Sequence, residues 1–172
     1  MLKKKATGIS INDIDVFVFD FDGVLTNNLV HIDQNGGEWT SCSRSDGLAF
    51  DVLKKLNKSA YIMSTEKNPV VSARAAKLNI PVLQGVADKV SGIQYIIEKE
   101  QTSLDKVFYV GNDLNDYRVM ELCTNCACPA DSHKKVIGIS RFVLNTEGGK
   151  GVVREILENI LHLDFIQILY PK

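Results

Sequence analysis

Two carboxylates one residue apart, in Asp20-Phe21-Asp22-Gly23-Val24-Leu25-Thr26, follow directly on the apolar run Val16-Phe17-Val18-Phe19. Like charges at the end of a buried strand repel and lose hydration, so a bound cation is their natural neutraliser. Mg2+ suits such a place, because it takes oxygen ligands, keeps waters, and commonly uses one or two carboxylates together with a substrate phosphate. A carboxylate beside it can attack phosphorus and become an aspartyl phosphate. A surface turn of the form D-x-D is the plain alternative.

Three further groups bear on that chemistry. Ser64-Thr65-Glu66-Lys67 follows the run Ala60-Tyr61-Ile62-Met63. A hydroxyl just ahead of a helix start can hold an anion together with backbone N–H groups, or simply cap the helix. Asp88-Lys89 opens a helical stretch, where Lys89 either neutralises a nucleophilic carboxylate and a transferring phosphoryl group or is solvated. Gly111-Asn112-Asp113-Leu114-Asn115-Asp116 follows Val107-Phe108-Tyr109-Val110. It is a dense set of oxygen ligands able to complete a Mg2+ shell, or a turn and cap.

Three of the four groups sit where a short apolar run ends, with Asp88-Lys89 between them at a helix start, and these runs must be the elements that position them. Continuous apolar runs, rather than alternating ones, indicate strands covered on both faces, as in a parallel sheet. Pro81-Val82-Leu83 and Phe142-Val143-Leu144 read as two more. Between them lie segments of helical period: Leu48, Ala49, Val52, Leu53 and Leu56; Val90, Ile93, Ile96 and Ile97; and Val152, Val153, Ile156, Leu157, Ile160 and Leu161. Strand and helix in alternation predict a doubly wound α/β domain, whose ligands bind beyond the carboxyl ends of the strands. Leu29–Trp39 breaks the rhythm and predicts a projecting β-hairpin, with Asn35-Gly36 as its turn.

The chain has 172 residues, 45% of them hydrophobic, which suits a single domain over residues 1–172. A formal net charge of −1 argues against broad nucleic-acid binding, which draws its affinity from clustered cations. No apolar run approaches the roughly 20 residues of a membrane helix. The basic start Met1–Thr7 lacks a signal-peptide core, so a soluble cytoplasmic domain without a membrane partner is expected. Cys123, Cys126 and Cys128 are crowded but lack the second pair of a structural zinc site, so they read as small core residues.

Taken in order, D-F-D-G-V-L-T, a hydroxyl after the second long strand, a lysine and G-N-D-x-x-D resemble the haloacid dehalogenase (HAD) phosphatase superfamily, over roughly residues 14–163. The resemblance implies an enzyme with Asp20 as nucleophile and Asp22 as general acid/base, and with Ser64 and Lys89 binding the phosphoryl group. It also implies Mg2+ held by Asp20, the Asp22 backbone carbonyl, and Asn112 or Asp113. Asn112 stands where the superfamily usually has Asp. Only 41 residues separate Asp22 from Ser64 and 24 separate Ser64 from Lys89, too few for a cap domain. A capless site leaves its chemistry open to water unless a neighbouring subunit covers it.

The capless arrangement resembles the 3-deoxy-octulosonate (KDO) 8-phosphate phosphatases and their nonulosonate relatives. Ser45-Asp46-Gly47, Gln84–Lys89 and Gly148–Glu155 carry the likeness beside the hairpin and the first motif. It implies a homotetramer in which the hairpin and the apolar tail 163–172 approach a neighbour's site. A phosphorylated sugar acid is the implied substrate, with Thr26, Thr65, Glu66 and Lys77 as binding residues. Glu66 stands where KDO 8-phosphate phosphatases have Arg, and the Glu66/Lys77 pair resembles enzymes of 9-phosphorylated nonulosonates. A non-catalytic module, like the HAD domain fused to acylneuraminate cytidylyltransferases, is the competing reading. A response-regulator receiver shares the acidic cluster but lacks D-x-D-G-V and the hairpin.

Overall fold

In β1 (Val16–Phe19) every residue is buried, and the side chains alternate between two apolar layers. The computed structural model describes residues 8–171, so the basic segment 1–7 lies outside the described residues. After β1 come the hairpin strands β2 (His31–Ile32) and β3 (Glu38–Trp39), α1 (Ser45–Lys55), β4 (Ser59–Ser64), α2 (Val70–Leu78), β5 (Val82–Gln84) and α3 (Lys89–Glu100). Then follow β6 (Val107–Val110), α4 (Tyr117–Leu122), β7 (Asn125–Cys128), α5 (Lys134–Ile139), β8 (Phe142–Val143), α6 (Val152–Glu155) and α7 (Phe165–Leu169).

Six strands form one parallel sheet in the order β5-β4-β1-β6-β7-β8. The chain winds outward from β1 through β4 and β5, then returns to its other side with β6. That reversal places the carboxyl ends of β1, β4 and β6 side by side, since Phe19 is level with both Ile62 and Val110. Ligand sites of doubly wound sheets open at such a point. Phe17, Phe19, Ile62 and Phe108 pack under α1, α2, α6 and α7, while Val16, Val18, Met63 and Tyr109 pack under α3, α4 and α5. No cap domain interrupts the fold among the described residues, and no helix is long and apolar enough to cross a membrane.

The structure departs from the sequence reading at four places. Asn125-Cys126-Ala127-Cys128, expected as the small core residues of a helix end, is a strand, with Cys126 and Cys128 facing the α3/α4/α5 layer. The hairpin forms, but its loop spans Asp33–Gly37: Asp33 Oδ1 accepts from Asn35 and Gly37 N–H, which widens the turn beyond Asn35-Gly36. Leu48 is exposed on α1 rather than in its apolar face. No helix starts at Ser64, because the Glu66 carboxylate and the Asn68 side chain take the N–H groups of Lys67, Asn68 and Val70 and delay α2 to Val70.

Asp46, buried in the first turn of α1, accepts at Oδ1 from the N–H groups of Val153 (3.0 Å) and Arg154 (3.2 Å) and so caps α6. Its Oδ2 is buried without a partner, and burial pushes the carboxyl up to about 6. A carboxyl raised above its unfolded value binds its proton more tightly when folded, so stability is lost as pH rises from about 4 through 6. Asp46→Asn removes this titration. Its stability relative to wild type is expected to rise by about 2 kcal/mol between pH 4.5 and 7.5 in urea unfolding. Parallel pH profiles for the two proteins would contradict this account of Asp46.

Candidate active site

Asp20 is the first residue beyond β1, its N–H still bonded to the Val110 carbonyl at 2.9 Å. Its Oδ1 accepts from the Phe21 N–H at 2.8 Å and lies 2.8 Å from Lys89 Nζ. No described residue donates to Oδ2, which leaves that oxygen for whatever enters the cleft. Burial first, then the charge of Asp116, push the Asp20 carboxyl well up, and Lys89 opposes them. Burial by itself would lower Lys89, but Asp20 and Asp116 outweigh it and raise the ammonium. Lys89 enters from α3, whose N-terminus is capped by the Asp88 side chain.

The loop after Asp20 is held by its own backbone. Leu25 N–H reaches the Phe21 carbonyl, and Thr26 Oγ1 accepts from the N–H groups of Gly23 and Asn28. Gly23 has a φ of +76° and lies against the Asn112 amide, where a Cβ would come within 1.9 Å of Nδ2. Gly148 and Gly149 close on the loop from below, and the Gly149 N–H bonds the Val24 carbonyl at 3.0 Å. Close backbone packing against this loop is what Gly148 and Gly149 provide.

Asp22 is half-buried at the mouth. Burial and then the nearby charge of Glu66 raise its carboxyl, with Lys89 opposing. A carboxyl raised in this way holds a proton more readily than a free one, which suits general acid/base work. With Asp20 it lines a cleft of about 320 Å3, together with Asn28, Thr65, Asn112, Asp113, Leu114 and Asn115. Asn112 is 7% exposed and its Oδ1 is buried with no protein partner. An orphaned acceptor among carboxylates fits a cation. Among the described residues no three acidic, His or Cys side chains by themselves make a metal cluster. A divalent ion here must therefore draw on the Asn112 oxygen, a backbone carbonyl, water or substrate, which is the habit of Mg2+.

The structure thus brings Asp20, Asp22, Lys89, Thr65, Asn112 and Asp113 together. Ser64, at the end of β4, is buried and its Oγ accepts from the Glu66 N–H at 3.0 Å. Glu66 spends one oxygen on its own loop, while its charge reaches Asp22. Two expected substrate contacts are corrected. Thr26 is fully buried, and its hydroxyl accepts loop N–H groups behind the cleft. Lys77 lies in the last turn of α2, in a separate groove with Arg44 and Arg74, because α2 runs away from the strand ends.

Asp116 is a buried residue of the candidate site that the sequence reading left without a role. It is fully buried and accepts from Lys89 Nζ at 2.6 Å and from Asn112 N–H at 2.9 Å, tying α3 to the loop after β6. Its signal was present: an acid four residues beyond Asn112, opposite a single lysine.

Known proteins share this chain's sequence pattern and fold. The family model of haloacid dehalogenase-like hydrolases matches residues 48–156. The 3-deoxy-D-manno-octulosonate 8-phosphate phosphatase of Salmonella typhi is 32% identical over 150 residues, covering 87% of this chain and 80% of that protein. A crystal structure from Streptomyces avermitilis, assigned to the HAD hydrolases, is 40% identical with a TM-score of 0.88, over 94% of this chain and 92% of that one. The 3-deoxy-D-manno-octulosonate 8-phosphate phosphatase of Moraxella catarrhalis, solved with magnesium, phosphate and KDO, is 26% identical with a TM-score of 0.83 over 87% of each chain. The sheet order, the Asp20–Lys89 pair at the reversal point and a family match across well over half the chain converge, and the chain belongs to the haloacid dehalogenase-like hydrolases.

Proposed function

We propose that this chain is a Mg2+-dependent phosphatase that removes the phosphoryl group of a phosphorylated sugar acid, with Asp20 as the attacking carboxylate. The observation that carries it is Asp20 itself: Oδ1 is fixed by Lys89 and the Phe21 N–H, while Oδ2 is left for the cleft. Oδ2 attacks phosphorus as the bond to the ester oxygen breaks, and Asp22 gives that oxygen its proton. Asp22 then takes a proton from water, whose oxygen displaces Asp20 and releases phosphate. Lys89, with one N–H left beyond its two carboxylates, and Ser64 steady the phosphoryl oxygens. Asp20, the Asp22 carbonyl, Asn112 and Asp113 would hold Mg2+, which when bound neutralises phosphoryl charge. The relative solved with magnesium supports that cofactor.

Two substrate readings compete. The relatives named as KDO 8-phosphate phosphatases support an eight-carbon sugar acid. Glu66, beside Asp22 and in place of the arginine typical of those enzymes, supports a nine-carbon nonulosonate 9-phosphate, and Lys77 no longer adds to it. A carboxylate near the site disfavours a substrate carboxylate there and favours hydroxyls. Glu66→Arg is expected to shift the ratio of kcat/KM toward KDO 8-phosphate by about tenfold, on the order of 1.4 kcal/mol. A ratio within about twofold of wild type, roughly 0.4 kcal/mol, would leave Glu66 a bystander and withdraw the nine-carbon reading.

A homotetramer goes with this reading. Leu29, Val30, Ile32 and Trp39 of the hairpin, and Ile166 and Tyr170 of the tail, are exposed, and no cap domain is present among the described residues. Exposed apolar groups of this kind are suited to a second copy. Sedimentation is expected to show a tetramer at assay concentration; a fully active monomer would end the idea.

A further inference from the structure

Tyr109 stands within β6, wholly buried among Val18, Met63, Ile93 and Met120. A phenylalanine ring would fill the same apolar space, and a hydroxyl there is unfavourable unless it finds a partner. It finds one at the active site. Tyr109 Oη donates to Asp116 Oδ1 at 2.8 Å, the same oxygen that takes Lys89 Nζ at 2.6 Å. Asp116 Oδ2 accepts from the Asn112 N–H at 2.9 Å and the Asp113 N–H at 3.3 Å. Both oxygens are therefore doubly occupied, and the carboxylate is fixed in plane and direction. Lys89 in turn stands 2.8 Å from Asp20 Oδ1. A continuous run of bonds leads from the interior of the sheet through Asp116 and Lys89 to the attacking group.

We propose that Tyr109 is a positioning residue of the reaction: its hydroxyl fixes Asp116 so that the Lys89 ammonium stays shared with Asp20 instead of being drawn onto Asp116. The inference rests on the phosphatase reading of Asp20 and Lys89, but not on the identity of the sugar acid. Without the phenol, Asp116 Oδ1 keeps Lys89 as its only partner and pulls it harder, the more so in a low-dielectric interior. The displaced ammonium then stabilises charge less well where it builds up, in the transition state.

Tyr109→Phe, Asp116→Asn and the double variant of the full chain test this, with p-nitrophenyl phosphate as substrate in Mg2+ buffer. Tyr109→Phe is expected to lower kcat about tenfold with KM within about twofold, since small displacements fall on the transition state. Asp116→Asn lowers kcat further, and the double variant matches Asp116→Asn, because the hydroxyl acts only through that carboxylate. Binding of orthovanadate, a mimic of the phosphoryl group in flight, weakens with kcat in calorimetry, while binding of inorganic phosphate holds within about twofold. A Tyr109→Phe protein with wild-type kcat and only a lowered melting temperature would overturn the proposal, as would independent, multiplying losses in the double variant. A wild-type chain that does not hydrolyse the ester sinks the phosphatase reading itself. The vanadate affinities of wild type and Tyr109→Phe still decide on Tyr109, equal values overturning it.

Discussion

Asp20→Asn is expected to remove turnover by at least about 10^3-fold while leaving the protein folded. An amide oxygen keeps the hydrogen bond from the Phe21 N–H, but it cannot act as phosphoryl acceptor. Folding survives for a separate reason. Burial and Asp116 both push the Asp20 carboxyl up, so its charge is a strain on the folded state that the variant relieves. Lys89 meanwhile retains Asp116 at 2.6 Å. Activity on p-nitrophenyl phosphate, set beside a melting curve, checks both halves. A variant with more than a tenth of the wild-type rate would refute Asp20 as nucleophile.

Lys89→Met is the second large effect, and it falls on stability as well as activity. The ammonium, with 1% of its side chain exposed, is the cation between Asp20 and Asp116, whose side chains are 5% and 0% exposed. Removing one partner of a buried charge cluster costs about 3–5 kcal/mol, which for a domain of this size is a fall in melting temperature of roughly 10 °C. The pH dependence has a definite sign. Lys89 opposes the upward push on Asp20, so its loss raises that carboxyl further. A carboxyl raised in the folded state loses stability as pH rises, so the deficit against wild type grows from acid toward neutral pH and shrinks on acidification. The measurement is thermal unfolding of chelator-treated protein at pH 4.5 and pH 7.5. A deficit below about 1 kcal/mol, or one independent of pH, would mean that the cluster is far more hydrated than its burial implies.

Much of this arrangement was legible in the sequence, because the elements carrying it have strong local signals. Val16–Phe19 and Val107–Val110 are β-branched and aromatic runs, the first ended by Asp20 and the second by Gly111-Asn112, and both formed as expected. Asp88 before Lys89 is a good cap, and α3 starts there. What stayed hidden depended on tertiary pairing. Asn125-Cys126-Ala127-Cys128 has no β-branched residue and is a strand because it pairs with Phe108–Val110 on one side and Phe142–Val143 on the other. Lys77 could be counted along the chain from Glu66, but not assigned to an end of α2, because the loop side chains that delay that helix were not visible as caps. Asp116 was visible as an acid of the motif. Its burial, and the Tyr109 hydroxyl that meets it, come from the sheet beneath.

The central claim is that a phosphoryl group passes through Asp20. Its most direct test is a rapid acid quench of the enzyme during steady turnover, followed by mass analysis of the peptide that carries Asp20 and Asp22. The account predicts a population heavier by one phosphoryl group, about 80 Da, assigned to Asp20 by fragmentation and missing from Asp20→Asn. Turnover at the wild-type rate with no phosphorylated peptide at any quench time, or with the label on Asp22, would contradict it.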